Sequence, residues 1–221
     1  FDVYRLAKHL DVDVELADDR IHMSRFEMGF GEGRVVVHGA MIAPLEPGVP
    51  ITAKQVDGSD VQFAAIERDL GVTPNTIVNW ELVKTRVTKV RGTISPLKID
   101  GDMYGESRGF EVYDRAYHSP AKKHMIGVGA ATVRGRIGVR PKALEFYETR
   151  ASFGKSVVNA SLVSIGFSND LALVIGKGTK IELGDVSPLV DIPWSGTAEL
   201  TAKMSGKAND PELTGEIAIS K

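Results

Sequence analysis

The 221-residue chain contains no cysteine. Disulfides, thiolate nucleophiles, cysteine-built zinc sites and iron–sulfur clusters are therefore excluded. Aromatic residues make up only 7% and do not gather at the ends of apolar segments, which is not the pattern of a membrane barrel with aromatic girdles. No run approaches the ~18 consecutive apolar residues of a membrane-spanning helix. No basic stretch followed by an apolar core marks a signal peptide. Charge of one sign is also missing: 27 Lys+Arg stand against 29 Asp+Glu, a net charge of -2, so a strongly basic surface for nucleic acid is not expected. The chain opens on Phe1 and still reads as strand at Ala218-Ile219-Ser220-Lys221, so it is expected to be an internal segment of a longer protein.

What is present is alternation. Period-two patterning puts successive side chains on opposite faces of a strand. Val12, Val14 and Leu16 share one face, and Ala17-Asp18-Asp19 is a turn. Ile21 and Met23 begin the next strand, but its apolar set continues at Phe26, Met28 and Phe30. The phase slips by one near Ser24-Arg25, as a β-bulge would produce. Gly31-Glu32-Gly33 turns the chain, and residues 34–42 return. Further strands are expected at 50–57, 77–91, 97–104, 109–114, 125–139, 143–153, 156–166, 170–176, 179–184, 196–205 and 212–220, separated by Gly, Pro, Asn and Asp turns. Hairpin spacing leaves no room for crossover helices, so the sheet is antiparallel. Two short helices are expected. One covers 2–10, where Val3, Leu6, Ala7 and Leu10 fit a helical face. The other covers 60–70, where Ser59 to Gln62 reads as a capping box before Phe63, Ile66 and Leu70.

Two halves resemble each other. Ile21, Met23, Phe30 and Gly31 match Leu144, Phe146, Phe153 and Gly154 at constant offset, and the phase slip recurs near Phe146-Tyr147. Gly92, Pro96 and Gly101 resemble Gly206, Pro211 and Gly215, with the proline displaced by one. The chain is thus expected to be one β-groove segment over 1–221, made of two related units at about 11–105 and 125–221. A sheet of this many strands must curl, split or close. The options are a sandwich, a barrel, or a sheet folded lengthwise into a U with an apolar interior.

The run from Gly196 to Gly206, followed by Asn209-Asp210-Pro211-Glu212-Leu213-Thr214-Gly215, resembles the "G-x-L … SG … DP-x-L-x-G" signature of the TamB (translocation and assembly module subunit) and AsmA-like family. Leu183-Gly184-Asp185-Val186-Ser187-Pro188-Leu189 is similar to the segment that usually precedes it, and residues 18–43 to another recurrent unit. Residues 115–125 match no part of that pattern. The resemblance implies an all-β fold: a long antiparallel curled sheet, the β-taco or repeating β-groove, with an apolar interior. It implies a periplasmic protein anchored to the inner membrane, the anchor lying outside this segment, that moves phospholipid toward the outer membrane. It also implies an outer-membrane barrel partner reached through other parts of the protein, and it brings no catalytic residue or cofactor.

The lining expected for such a groove is Val12, Val14, Ile21, Phe30, Ile99, Ile137, Leu144, Phe146, Phe153, Leu183, Leu200, Met204, Leu213 and Ile217. Acyl chains leaving water for it would gain ~0.8 kcal/mol per CH₂, and Met23, Met28, Met103 and Met204 would adapt to irregular ligands. The alternative is a protein-interaction module that takes up a client strand at a sheet edge while assisting outer-membrane protein assembly. No nucleotide site is expected: Gly154-Lys155-Ser156 lacks the first glycine of a P-loop, Thr149 standing there, and Gly127-Val128-Gly129 lacks a third glycine. No HxH or HxxxH pair suggests a metal. Asp18-Asp19 reads as a solvated turn, and Lys122-Lys123-His124 with Arg115 as a basic loop. No acid, base and nucleophile converge, so an enzyme is not expected.

Overall fold

The computed structural model describes residues 10–30, 32–62, 78–166, 168, 170–186, 195–207 and 210–220. They form one 14-stranded antiparallel sheet and one short helix. The strands are β1 (Leu10–Ala17), β2 (Arg20–Phe30), β3 (Gly33–Ile42), β4 (Pro50–Gln62), β5 (Val78–Ile94), β6 (Leu97–Tyr113), β7 (His124–Val128), β8 (Ala131–Val139), β9 (Ala143–Phe153), β10 (Ser156–Gly166), β11 (Asp170–Ile175), β12 (Lys180–Glu182), β13 (Thr197–Lys207) and β14 (Asp210–Ser220). The helix α1 (Leu183–Val186) follows β12. Tight turns produce this meander. Asp18 and Asp19 both adopt positive φ, as a two-residue hairpin turn of type I′ requires.

Two lanes of the sheet are each built from two strands. β7 and β8 run end to end along β6, β7 beside Phe110–Tyr113 and β8 beside Ile99–Ser107. β11 and β12 lie end to end between β10 and β13. Their break at 176–179 is closed by Thr179, whose hydroxyl accepts the Asn159 N–H at 3.0 Å and donates to the Gly176 carbonyl at 3.0 Å. The 14 strands therefore fill twelve lanes.

Local expectation fails in a few places. Ser59 to Gln62 do not cap a helix. They continue β4, with Ser59 opposite Lys84 and Val61 opposite Leu82, because the long partner strand offers a ladder that a local cap cannot match. Phe63, Ile66 and Leu70 lie outside the described residues, as does the expected helix at 2–10 apart from Leu10, which opens β1. The strands expected at 97–104 and 109–114 are one strand, since Gly105 pairs with both Thr85 and Val133 rather than turning. The strand expected at 125–139 is split at 129–130. The one expected at 179–184 ends at Glu182, and Leu183 begins the helix.

The strands do not run straight. Ser24, Gly39, Lys54 and Lys89 fall between matched ladder pairs on β2, β3, β4 and β5, forming one line across the sheet. Gly39 and Lys89 on this line have φ of 58° and 53°. A second line runs through Gly135, Glu148 and Ser161 on β8, β9 and β10, where Glu148 has φ of 49°. A residue in this region bends a strand and shifts its side-chain parity by one. Facing residues step by two along each strand but by three across the line. Val37, Val56 and Val87 form one row, and Ala40, Ala53 and Val90 the next. On the second line Phe146 faces Val163 and Thr149 faces Ala160. The slip keeps apolar residues on the same face on both sides of the bend.

The bend expected at Ser24-Arg25 is there: β2 holds Ser24 in excess of β1. In β9 the extra residue sits at Glu148-Thr149, just past the Phe146-Tyr147 site expected from the sequence. Its origin is the same, an added residue relative to the preceding lane and none relative to the following one.

Candidate functional site

One face of this sheet is apolar from end to end. Residues directly opposite on neighbouring strands share a face, so the ladder can be followed laterally. Val12 pairs with Phe26, Phe26 with Val37, Val37 with Val56, Val56 with Val87 and Val87 with Met103. A second chain of pairs joins Gly101 to Ile137, Ile137 to Phe146, Phe146 to Val163, Val163 to Leu173, Leu173 to Met204 and Met204 to Leu213.

This face is concave, and one contact demonstrates it. Trp80 on β5 pairs with Phe110 of β6, whereas Phe146 on β9 pairs through Ile137 with Gly101 of β6. Gly101 and Phe110 stand nine residues apart along one strand, about 30 Å if extended, and β5 and β9 are three lanes apart, ~14 Å more sideways. Yet the Trp80 and Phe146 rings meet edge to face with centroids 5.6 Å apart. The sheet must therefore fold across its own strands, bringing two walls together over a floor that includes Met103 and Val133. Phe146, Met103 and Val133 are buried, with Val87, Leu144, Ala151, Val163 and Ile165 packed around them. Thr85 Oγ1 is a buried oxygen without a partner among the described residues.

The trough opens toward both outer lanes. Val12, Val14 and Leu16 on β1 are 38%, 51% and 77% exposed, and Leu213, Ile217 and Ile219 on β14 are 67%, 62% and 61% exposed. In the middle lanes, by contrast, Phe146 is 5% exposed.

The opposite, convex face carries charge. Arg86 pairs with Asp57 at 3.0 Å, Lys89 with Asp102 at 2.8 Å, and Arg108 with Glu81 at 2.8 Å. The most enclosed pair group is Arg140, whose guanidinium lies 2.6 Å from Asp100 and 3.0 Å from Glu145 and donates to the Ile99 carbonyl at 3.0 Å. It ties the β8–β9 turn to the tip of the β5–β6 hairpin. Burial pushes Asp57 up, but hydrogen bonds from Gln55 and Arg86 and the charges of Arg86 and His38 outweigh it, leaving the carboxyl below its usual range. Tyr113 is pushed up to about 12 by burial and by its hydrogen bond to Glu111.

Of the expected lining, Val12, Val14, Ile21, Ile99, Ile137, Leu144, Phe146, Phe153, Leu200, Met204, Leu213 and Ile217 fall in the ladder rows of the concave face. Phe30 ends β2 opposite Gly33. Leu183 lies on no strand. It is the buried first residue of α1, its N–H donating to the Gly196 carbonyl at 2.9 Å. The sequence reading missed Trp80 and Phe110, which make one wall, and Val87 and Val133, which make the floor. Their signal was available, since Trp80 and Leu82 alternate like any half-buried strand.

The remaining motifs resolve into structure. At Gly154-Lys155-Ser156 the place of a bound anion is taken by Asp185 of α1, which accepts from the Lys155 N–H at 2.8 Å and the Ser156 hydroxyl at 2.7 Å. Gly154 has φ of 52°, and a Cβ there would stand 2.2 Å from the same carboxylate. Lys122 of the basic loop sits over the Tyr117 ring at 4.5 Å, and Asp114 accepts the Lys123 N–H at 2.6 Å. Among the described residues no group of three or more His, Asp or Glu is placed to hold a metal ion, and no helix is long and apolar enough to cross a membrane.

No protein-family model, no curated protein and no solved structure matches this chain.

Proposed function

We propose that the concave face binds the acyl chains of phospholipids, as one segment of an inner-membrane-anchored periplasmic protein that passes lipid toward the outer membrane. The binding part rests on one observation: a sheet folded until Trp80 meets Phe146, with an apolar row continuing to exposed apolar side chains on β1 and β14. Such a trough takes methylene chains out of water at ~0.8 kcal/mol per CH₂. The charged headgroup stays at the rim and avoids the cost of burial. The compartment and direction rest on the motif order at 183–215, which resembles that of the TamB and AsmA-like family. The Trp80 and Phe146 rings meet across the trough, so an acyl chain passing between them displaces one ring from the other.

The test compares Leu200→Asp with Thr201→Asp. Leu200 pairs with Ile217 on the concave face, and Thr201 with Glu216 on the convex one. The expected outcome is that both variants fold, while Leu200→Asp alone loses phospholipid, measured by native mass spectrometry of the purified chain and by lipid extraction. An open trough lets the new carboxylate be hydrated when lipid is absent. In a close-packed core the same carboxylate would unfold the chain. Unfolding of Leu200→Asp, or undiminished lipid in it, would overturn the reading.

A further inference from the structure

We infer that the Thr85 hydroxyl is the hydrogen-bonding point of the trough floor, and that it pairs with the carbonyl oxygen of an acyl ester, so that the trough selects ester-linked chains over bare hydrocarbon. The inference rests on the lipid reading above and adds to it the residue that recognises the chain. Thr85 stands on β5 two residues before Val87, in the middle lanes of the sheet. Its row crosses the floor from Val35 through Gly58, Thr85, Gly105 and Val133 to Ala151. Thr85 brings the one polar side chain to that row. Its Oγ1 is buried and has no hydrogen-bond partner among the described residues.

A hydroxyl buried in that state costs stability that a valine of the same shape would not. Buried hydroxyls elsewhere in the fold are paired. Ser107 bonds the Gly109 carbonyl at 2.9 Å, Ser156 donates to Asp185 at 2.7 Å, and Thr179 donates to the Gly176 carbonyl at 3.0 Å. An ordered water is a poor partner for Thr85, because a buried water needs about two to four polar groups to hold it. The space beside Thr85 is taken by hydrocarbon instead. Both residues directly opposite it are glycines. At Gly58 the Val61 Cγ2 lies 3.3 Å from where a Cβ would stand, and at Gly105 the Leu82 Cδ2 and the Met103 Cε each lie 3.5 Å from it.

This setting defines what can pair with the hydroxyl. A charged group does not fit, because one neutral hydroxyl among hydrocarbon cannot replace its hydration. A neutral oxygen carried on a hydrocarbon chain does fit, and in an acyl chain that oxygen is the ester carbonyl. The floor lies one ring beneath the closure, since Phe146 packs with Met103 and Val133 and also meets Trp80. A carbonyl reaches that depth while the neighbouring phosphate stays above the rings in water. The flexible ends of Leu82 and Met103, which fill the gaps at the glycines, are the groups that yield to it.

The experiment offers the 221-residue chain an equimolar pair of phosphatidylethanolamines that share headgroup and chain length, one with both chains ester-linked and one with both ether-linked. Native mass spectrometry reads the ratio bound. The wild-type chain is expected to hold the ester lipid over the ether lipid by roughly three- to tenfold, the worth of one hydrogen bond. Thr85→Val is expected to hold the two equally and to melt no lower than wild type, since it removes an unpaired hydroxyl and keeps the shape. Thr85→Ser is expected to keep the preference. A preference that survives in Thr85→Val would overturn the proposal, and so would a Thr85→Val chain that melts lower or fails to fold, because the hydroxyl would then serve the unliganded fold. Equal binding of the two lipids by the wild-type chain would overturn it while leaving the lipid reading in place. Binding of neither lipid would overturn both.

Discussion

The middle lanes and the outer lanes of this sheet are made of the same kind of strand and end in opposite states. In β5 to β10 the walls close: Trp80, Phe110 and Phe146 interlock over Met103 and Val133. In β1 and β14 the same face lies open, with Leu16 at 77% and Leu213 at 67% exposed. Both regions carry rows of Val, Leu and Ile, and the middle adds three aromatic rings and Met103. What differs is the reach across the fold. Aromatic side chains span the gap between walls where β5 and β6, each of seventeen residues, curl far enough to present them. The shorter β1, of eight residues, makes no ring contact across the fold among the described residues. A curled sheet of this kind is therefore a core in its middle and leaves apolar side chains exposed in the outermost described lanes.

Truncation should separate the two regimes most sharply. Phe146→Ala removes a buried ring that touches Trp80, and should cost about 3–5 kcal/mol of stability. Ile217→Ala removes a side chain that is 62% exposed and should stay within about 0.5 kcal/mol. Chemical denaturation followed by Trp80 and Trp194 fluorescence and by circular dichroism measures both. If the two variants lose comparable stability, the distinction between closed middle and open side is wrong. The comparison sharpens if Ile217→Ala loses lipid while keeping its fold.

Much of the fold was legible because alternation is local. β9 and β10 were bounded correctly from period two and a two-residue turn alone. The all-β class, the antiparallel pairing and the parity of most lining residues follow from the same signal. Closure was not legible. Nothing in the sequence near Trp80 announces Phe146, because their meeting depends on the bending of every strand between them. Part of that bending was written in the chain all the same. The step of three from Val37 to Ala40, from Ala53 to Val56 and from Val87 to Val90 is the slip noticed at Ser24-Arg25, and reading it on adjacent strands would have drawn the fold line. The capping box at Ser59 misled because a favourable local hydrogen bond loses to a long ladder. Leu183 misled because an alternating strand pattern runs into a one-turn helix whose Asp185 is needed at the β9–β10 turn.

A smaller loss is expected at the rim of the closed region. Arg140 is 20% exposed in its side chain and holds Asp100 and Glu145, which are 25% and 23% exposed. Removing it leaves two partly enclosed carboxylates facing each other. Arg140→Ala should cost about 1–3 kcal/mol, the range for hydrogen bonds to charged groups. Arg140→Lys should recover only part, because lysine lacks the planar fork that reaches two carboxylates and a carbonyl together. The ion pair of Arg20 with Glu46, 44% and 49% exposed, provides the contrast: Arg20→Ala should change stability by less than about 1 kcal/mol. Equal effects at the two arginines would show that closure of the middle does not strengthen its polar rim.

The smallest expected effect is that of acid. Asp57 lies on β4, one lane outside the closed middle, and holds Arg86 of β5 at 3.0 Å. Burial alone would raise its carboxyl, but the hydrogen bonds from Gln55 and Arg86 and the charges of Arg86 and His38 bring it below the value of 3.8 that an unfolded chain would show. Asp102 is lowered as well, chiefly by its hydrogen bond from Lys89 against a smaller opposing effect of burial. A carboxyl depressed in the folded state binds a proton more readily once unfolded. Its stabilising contribution is therefore complete above pH ~4 and fades as the pH falls through the folded value. Melting temperature should stay level from pH 7 down to about 5 as far as these groups decide it, and then fall. Asp57→Asn should lower stability near pH 7 and flatten the decline below pH 4, because the titrating group is gone. Both Asp57 and Asp102 join β5 to a neighbouring lane, so the lost bonds are those that steady the wall carrying Trp80. Trp80 fluorescence should shift as the acid transition begins, while hydrogen exchange on β14, far from both carboxylates in the lane order, should change little. An acid profile that Asp57→Asn leaves unaltered would remove this pair from the forces that hold the trough closed.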